Sequence, residues 1–600
     1  MRSRCAAAAA LASLVVAGSA WAQAPTRPTY DQQGRLVETP FAPVPEPTHL
    51  TKARATAIFF AKGKVADWLG RYPRAKLITE ATFDARYRDW TVKVWYTPAG
   101  EIATGRVDDL TGVVTEAWTG PQVAWQMARG GAGAFGGKQL NSVPVWLALC
   151  AAFLVGLVDF RRPLSLRNLD LLALLSFTAS LWYFNHGRIF TSVPLVYPPL
   201  VYLLGRMIWI GARGRPPAAA PPVWPVWLLV AATVFLAGFR IGLNARDSNV
   251  IDVGYSGVIG AQRIATGQSP YGHMPRGDAS LKACAAPDRD GNTSYRTQTN
   301  GRCEAGDERG DTYGPVSYQT YLPGYWIFGW KGKGDKLDAA RFTSVVFDVL
   351  AIVGLALLGW RFGRARLAAT LSFAWAAYPF TQYASSSNTN DAIPAVFLIF
   401  GLWAVTSARA RGVFAALSGL TKFGSLLVAP LWFSYPELRA RPREKLAFVA
   451  AFAVVALLSF WILLLEPNPL HAARVFWDRT IPWQIGRESA FSIWDWRQYH
   501  ARGVPNLHAV QIVLEVLLAI GAVAVMFLPR RKSPLQLAAL TAALLIGFEL
   551  VLTHWFYLYL PWFFPFVAFA LLYTAPAPAP ATAEAREPSE RRAGELVAVR

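Results

Sequence analysis

Long apolar blocks recur along most of this 600-residue chain, and they restrict its fold more than any other feature. Each block has roughly 18–22 residues, enough for an α-helix to cross a hydrocarbon core of about 30 Å. Charged residues make up only 16% of the sequence, and the mean hydropathy of +0.27 is too apolar for a soluble protein of this size. The blocks therefore predict a mainly α-helical, polytopic membrane protein.

We expect about eleven transmembrane helices. Their approximate positions are 143–160, 169–184, 190–210, 223–243, 340–360, 367–383, 391–408, 446–465, 509–528, 535–553 and 555–573. Residues 412–435 lie between two basic clusters, and they are predicted to form a re-entrant helical hairpin that breaks near Lys422, Phe423 and Gly424.

The net charge of +21 comes mostly from Lys and Arg in the short loops between these helices. If the chain starts on the outer face, every basic cluster lies in the cytoplasm, as the positive-inside rule requires. The long loops 244–339 and 466–508 then both lie outside. The charge thus indicates orientation in a bacterial inner membrane, and not binding of nucleic acid.

The N-terminal part predicts an exported α+β domain. Residues 1–22 have the basic start, apolar stretch and Ala20-Trp-Ala22 end of a signal peptide. Within 23–140, a Pro-rich leader and an amphipathic helix precede alternating segments separated by turn residues, which indicate a small antiparallel sheet. This rhythm, with Asp108, Asp109 and Gly112, resembles PepSY-type periplasmic domains and implies a binding or regulatory module. The Pro- and Ala-rich tail 574–600 is predicted to be disordered in the cytoplasm.

Two of the four cysteines, Cys284 and Cys303, lie in the first long outer loop. A pair in an oxidising compartment usually forms a disulfide, so we expect them to be bridged. The spacings typical of zinc sites are absent from the sequence, and no metal site or cofactor is predicted. Dependence on a divalent cation is left open.

Two acids, Asp247 and Asp252, follow the apolar span 223–243 directly. An amphipathic stretch then leads to a Gly-x-x-Pro-Tyr turn at Gly267–Tyr271. Carboxylates just outside a membrane span are candidates for general-base chemistry on a lipid-linked substrate. The alternative is that they are solvated helix ends.

Four motifs in this order resemble the GT-C glycosyltransferases, and locally glycosyltransferase family 87, over residues 223–573. The first is Asp252 and Tyr255 followed by the turn ending at Tyr271, and the second is DTYGPVSYQTYLPGYWIFGW, which contains Tyr313. The third is GLTKFGSLLVAPL, and the fourth is LTHWFYLYLPWFFPF. Asp252 lies three residues before Tyr255 where the family pattern has about four, so Asp247 stays open as the catalytic acid. Helices within 143–215 are accessory to this core.

The resemblance implies an inner-membrane enzyme that moves a hexosyl or pentosyl group from a polyprenyl-phosphate donor to a lipid, glycan or protein acceptor on the periplasmic side. Asp252, or else Asp247, is the implied general base. Lys422, Arg479 and Arg487 are candidate phosphate ligands, because a leaving phosphate needs cationic partners. The other candidate substrate-binding residues are Tyr255, Tyr271, Tyr313, Asn388, Asn390, Asp391 and His554.

Several of these residues also have a plainer interpretation. Lys422 can extend to the cytoplasmic face, and the two arginines can belong to a solvated basic loop. The Asn388–Asp391 segment can cap the next helix, and His554 can belong to an aromatic belt at the membrane boundary. A polytopic transporter or lipid flippase is the alternative function, and a membrane regulator led by the N-terminal domain is the third.

Overall fold

The computed structural model describes residues 29–30, 36–38, 48–85, 88–96, 100–120, 123, 135–186, 189–216, 222–278, 280–286, 295–331, 337–439, 441–485, 489, 491–496 and 505–573. The predicted signal peptide, the predicted disordered tail and Arg487 lie outside these residues. The chain divides into two compact units, Met1–Thr51 and Lys52–Arg600. In the first unit, strand β1 (Thr29–Tyr30) pairs antiparallel with β2 (Leu36–Glu38).

The second unit starts with a small α+β region. Helices α1 (Lys52–Ala61) and α2 (Gly63–Leu69) precede four strands, which are β3 (Leu77–Asp84), β4 (Asp89–Tyr96), β5 (Gly100–Asp108) and β6 (Val114–Thr119). The strands form an antiparallel sheet in chain order, so each one pairs with the next. The predicted sheet near the N-terminus is therefore confirmed.

One close approach holds helix and sheet together in this region. The ring of Phe59 on α1 is fully buried and lies against Gly105 in β5. A Cβ atom at Gly105 would lie 2.4 Å from that ring and 2.1 Å from the carbonyl oxygen of Glu116. Only a glycine leaves room for both neighbours.

The rest of the chain is mainly helical, as predicted, and six of its described helices are long and apolar enough to cross a membrane. They are Val193–Arg213, Val226–Asp247, Asp338–Ala377, Pro442–Leu465, His508–Phe527 and Pro534–Val551. In chain order, the helices up to the first long loop are α3 (Val143–Leu157), α4 (Leu166–Asn185), α5 (Ile189–Ser192), α6 (Tyr197–Arg213) and α7 (Val226–Asp247). A 3-10 turn, Val193–Val196, leads into α6.

The first long loop contains α8 (Asp252–Ala265), the short strands β7 (Tyr295–Thr297) and β8 (Cys303–Ala305), α9 (Pro315–Gln319) and α10 (Leu322–Phe328). The helices after it are α11 (Asp338–Ala377), α12 (Pro379–Ser386), α13 (Ala392–Trp403), α14 (Ala408–Thr421), α15 (Ala429–Ser434), α16 (Pro442–Ser459), α17 (Pro469–Ile485), α18 (His508–Phe527), α19 (Pro534–Val551) and α20 (Leu560–Leu572).

The predicted count of eleven spans is not confirmed by helix length and composition. Helices α3, α13 and α20 have 15, 12 and 13 residues, too few to cross about 30 Å at 1.5 Å per residue. Helix α11 accounts for two predicted spans, because its backbone leaves helical geometry at Gly363 and Arg364. Its two arms lie side by side, and the hydroxyl of Ser372 donates to the carbonyl oxygen of Ile352 at 3.2 Å.

Burial distinguishes central from peripheral helices. In α19, 83% of the apolar window is buried inside the protein, against 22% for Pro442–Leu465 and 11% for α18. A helix buried on all sides belongs to the core of a bundle, and one with exposed apolar faces belongs at its edge. We therefore assign α19 to the centre and α16 and α18 to the periphery.

Residues 408–434 form a helical hairpin. Helix α14 ends at Thr421, Lys422 has an extended backbone, and a 3-10 turn over Phe423–Val428 leads into α15. The Arg411 guanidinium near the start of the hairpin donates to the carbonyl oxygens of Trp432 and Tyr435, at 3.3 and 3.0 Å. Both ends of the hairpin therefore meet, and Lys422 lies near its tip.

The two long loops pack against each other. The side chain of Glu466 accepts a hydrogen bond from the Ser269 amide at 2.9 Å. Gln484 on α17 donates to the hydroxyl of Thr312 at 2.7 Å. Within the first loop, a disulfide joins Cys284 to Cys303, with their Cα atoms 5.7 Å apart. The loops thus form one layer at the ends of the helices.

Candidate functional site

A cavity of about 590 Å³ lies where the hairpin tip meets the two long loops and helices α18 and α19. Its apolar lining residues include Leu427, Leu518 and Phe548. Its polar lining residues include Thr312, Gln484 and His554, and helix α18 adds the acid Glu515. The cavity can therefore hold a ligand that has one apolar part and one polar part.

Lys422 is also a lining residue of the cavity, and its ammonium group forms an ion pair with Asp391. The same nitrogen lies 5.3 Å from the ring centre of Tyr313, 5.4 Å from Tyr559 and 5.5 Å from Trp562. These distances are within the range of cation–π attraction. The Lys422 side chain is only 10% exposed, so the cation is enclosed by protein and does not extend to a solvated surface.

Asp391 is the buried ionic partner of Lys422. It compensates the buried charge of the lysine, since an unpaired charge in a protein interior is costly. Its side chain is 1% exposed. Besides the ammonium group, the carboxylate accepts hydrogen bonds from the hydroxyl of Thr389 and from the indole nitrogen of Trp562, the latter at 3.2 Å. Asp391 thus orients the lysine and is itself held by two neutral donors.

The cavity brings together three residues that the sequence predicts separately, which are Tyr313, Lys422 and His554. The His554 ring nitrogen Nδ1 lies 2.9 Å from the hydroxyl of Ser489. The imidazole also packs near Phe491, with ring centres 5.3 Å apart. These contacts fix the position of His554 in the cavity lining.

A separate polar cleft of about 550 Å³ is lined by Tyr271 and Arg479, two more of the predicted residues. Arg479 forms an ion pair with Asp311 at 3.3 Å. The hydroxyl of Tyr271 donates to the carbonyl oxygen of Tyr313 at 2.9 Å. The segment 311–313 therefore separates the cleft from the cavity that contains Lys422.

Asp311 is a buried acid whose importance the sequence analysis missed. One oxygen, Oδ2, accepts a hydrogen bond from the Gly272 amide at 2.8 Å. The other, Oδ1, has no hydrogen-bond partner within the described part of the chain. Burial raises the pKa of the Asp311 carboxyl, and the Arg479 guanidinium opposes that shift. The available signal was an acid directly before the Thr-Tyr-Gly-Pro turn.

Asp391 and five other predicted residues line neither the cavity nor the cleft, and two of these five anchor the start of the first loop. The side-chain amide of Asn388 donates to the carbonyl oxygen of Asn249 at 2.7 Å and to the hydroxyl of Ser248 at 2.9 Å. The hydroxyl of Tyr255 donates to the carbonyl oxygen of Ala305 at 3.1 Å. Asn388 and Tyr255 therefore have structural contacts in place of an open position for a sugar.

The remaining three are Asn390, Asp247 and Asp252. The amide of Asn390 donates to the hydroxyl of Ser317 at 2.7 Å. The Asp247 carboxylate accepts a hydrogen bond from the backbone amide of Gln139, so it ties the segment after the α+β region to α7. Asp252 is the first residue of α8 and is half-buried. The contact that Asp247 makes with the Gln139 amide is therefore a structural one.

Comparison with protein-family models and with curated proteins finds no match for this chain. The resemblances to GT-C enzymes and to PepSY domains therefore depend on the motifs quoted above. In the described ranges, no three His, Cys, Asp or Glu side chains are grouped so that they could hold a metal ion. The fold and the site together define a helical protein that has helices long and apolar enough to cross a membrane and an amphipathic cavity at its loop layer.

Proposed function

We propose that the protein is an inner-membrane glycosyltransferase that moves a sugar from a polyprenyl-phosphate donor to an acceptor on the periplasmic side. The observation that supports this most is that one cavity is lined by an enclosed lysine, Lys422, together with apolar and polar side chains. A polyprenyl-phosphate sugar has parts that match these three kinds of side chain, namely an apolar chain, an anionic phosphate and a polar sugar. A soluble nucleotide sugar has no apolar chain to cover the apolar side chains.

In this proposal the polyprenyl chain lies along Leu427, Leu518 and Phe548, and the phosphate lies at Lys422. The sugar then faces Thr312, Gln484 and His554, whose side chains can exchange hydrogen bonds with hydroxyl groups. Negative charge grows on the phosphate oxygen as the glycosidic bond breaks, and an enclosed cation stabilises that charge better than water does. Asp391 supports catalysis by holding Lys422 in position.

The reaction is a direct displacement at the anomeric carbon. The acceptor hydroxyl transfers its proton to a carboxylate while its oxygen bonds to the anomeric carbon, and the bond from that carbon to the phosphate oxygen breaks. Polyprenyl phosphate leaves with the electron pair. We propose Asp252 as the base, because it belongs to the motif with Tyr255, and keep Asp247 as the second choice. Neither carboxylate lines the cavity of Lys422, so this assignment requires the acceptor hydroxyl to reach the start of α8.

The test is sugar transfer by membranes that contain the protein, with a panel of radiolabelled polyprenyl-phosphate sugars. Asp252→Asn should lower the rate by about 10²–10⁴, the usual cost of losing a general base. Asp338→Asn is the matched control, because Asp338 is also the first residue of a helix and its side chain is 54% exposed. Full transfer by Asp252→Asn would remove Asp252 from the mechanism.

A lipid flippase is the second candidate, and one observation favours it. The hairpin breaks at a charged residue, and broken helices with ion-binding tips are typical of transporters. The two functions differ in their products. A transferase releases polyprenyl phosphate, whereas a flippase returns the donor intact in the other leaflet.

A further inference from the structure

A third cavity, about 650 Å³ in volume, lies between the turn that joins α3 to α4 and the end of α6. We call it the basic pocket. Its lining includes five arginines, which are Arg162, Arg167, Arg206, Arg213 and Arg215. It shares no lining residue with the cavity of Lys422 or with the cleft of Arg479.

Positive charge dominates the basic pocket. Among the described residues that line the pocket, Asp159 is the only acid. A second acid, Asp170, neutralises Arg206 through two hydrogen bonds, at 2.8 and 2.9 Å. The other arginines of the lining still outnumber Asp159. The pocket therefore favours an anion with several acceptor oxygens, because guanidinium groups bind phosphate oxygens in a forked geometry.

The frame of the pocket is fixed by local hydrogen bonds. The amide of Asn168 donates to the carbonyl oxygens of Asp159, Arg162 and Pro163, at 3.1, 3.2 and 3.0 Å. The guanidinium of Arg167 donates to the carbonyl oxygen of Leu157. A turn that is tied down in this way loses little conformational freedom when a ligand binds.

The opposite side of the pocket is ordered by aromatic packing. The Arg213 guanidinium lies 3.8 Å from the ring centre of Trp209. Helix α6 ends at this arginine and is capped by Gly214, whose φ of +64° suits glycine. Gln536 on α19 donates to the carbonyl oxygen of Gly211 at 2.9 Å and so anchors this helix end to the bundle centre.

The rim of the pocket is apolar and exposed. Leu164 is 99% exposed and Trp209 is 53% exposed, and both line the pocket. A small soluble anion would leave these side chains uncovered, whereas the acyl chains of a lipid would cover them. The positive-inside rule accounts for basic residues near the ends of spans, but it requires neither a formed cavity nor an apolar rim.

We propose that the basic pocket binds the phosphate headgroup of an anionic membrane lipid, with the acyl chains along Leu164 and Trp209. Basic pockets between membrane helices have the chemistry that such headgroups need. The site belongs to the accessory helices, so the proposal does not depend on the glycosyltransferase assignment. It predicts lipid binding even in a protein that transfers no sugar.

The experiment is lipid titration of the purified full-length protein in neutral detergent, followed by native mass spectrometry. Phosphatidylglycerol is the probe, phosphatidylcholine is the uncharged comparison, and glycerol phosphate is the soluble form of the headgroup. We expect phosphatidylglycerol to bind at least ten-fold more tightly than either. The Arg213→Gln/Arg215→Gln variant should lose about 25-fold in affinity, because each arginine near an anionic headgroup contributes about five-fold.

The matched control is Arg439→Gln/Arg443→Gln, which removes two exposed arginines from another basic cluster. This variant should keep its affinity within two-fold.

An equal loss in both variants would mean unspecific attraction to charge and would overturn the proposal. Equal binding of glycerol phosphate and phosphatidylglycerol would assign the pocket to a soluble anion, and no preference for phosphatidylglycerol over phosphatidylcholine would exclude an anion site. Arg213 and Arg215 are exposed, so thermal unfolding without lipid should be unchanged.

Discussion

The ion pair between Lys422 and Asp391 predicts that substitutions at these two positions change stability and donor binding in different patterns. Lys422→Met keeps an apolar stem of similar length and removes the charge. Breaking a buried ion pair usually costs about 3–5 kcal/mol, because the remaining charge is left uncompensated. Asp391 keeps the hydrogen bonds from Thr389 and Trp562, so we expect a loss near the lower end, about 3 kcal/mol.

A second change should restore most of that stability. Asp391→Asn in the Lys422→Met background removes the stranded charge, and its amide oxygen can still accept from Trp562. The double variant should therefore unfold within about 1 kcal/mol of the parent, which is a strongly non-additive cycle. Titration with a denaturing detergent in mixed micelles, followed by tryptophan fluorescence, measures the free energy of unfolding of all four proteins.

Donor use should follow a different pattern. Both the single and the double variant lack the ammonium group, so both should use the polyprenyl-phosphate donor about 10–100-fold less efficiently, as expected for one lost charge-assisted contact. Recovery of donor use in the double variant would refute the phosphate-binding role of Lys422. Unchanged unfolding of Lys422→Met would refute the view that the ion pair compensates the burial of Asp391.

Three further predictions concern other parts of the chain. Thiol labelling of intact cells should modify Cys284 and Cys303 only after reduction, and labelling without reductant would disprove the bridge between them. Arg479→Gln removes the cation that opposes the raised pKa of Asp311, so the Asp311 carboxyl of the folded protein should take up a proton more readily. The loss in free energy of unfolding should be about 3 kcal/mol at pH 8 and smaller at pH 5. An equal loss at both pH values would contradict this. Gly105→Ala should destabilise the α+β region by about 1–3 kcal/mol, because the new methyl group meets Phe59 and the backbone of Glu116. Hydrogen exchange measures this loss, and unchanged protection of β5 would count against that packing.

The sequence predicts where the helices lie, because a long apolar block favours a helix. Six described helices are long and apolar enough to cross a membrane, against the eleven predicted spans. The break at Lys422 is also visible in the sequence, since a lysine followed by Phe-Gly interrupts an apolar stretch. The sequence does not show which residue pairs with Lys422. Asp391 lies 31 positions away on another segment, and only the packing of the hairpin against α13 brings the two side chains together.

The same limit explains why Asn388 is predicted as a site residue and why Asp311 is missed. The amide of Asn388 is polar and near a predicted span end, which suggests a sugar ligand, but its partners at positions 248 and 249 are about 140 residues away in the chain. Asp311 looks like an ordinary loop acid until α17 brings Arg479 beside it. Polar side chains at the loop layer are therefore the part that sequence patterns assign least well, because their partners are set by tertiary packing.

The most direct test of the central proposal is a product analysis of the purified protein in liposomes that contain a radiolabelled polyprenyl-phosphate sugar and a crude lipid and glycan acceptor extract. The proposed function predicts that label moves to an acceptor, that one polyprenyl phosphate is released for each sugar transferred, and that Lys422→Met loses most of this activity. A donor that stays chemically intact across the whole panel would contradict the transferase. A donor that also changes leaflet with its sugar still attached would support the flippase.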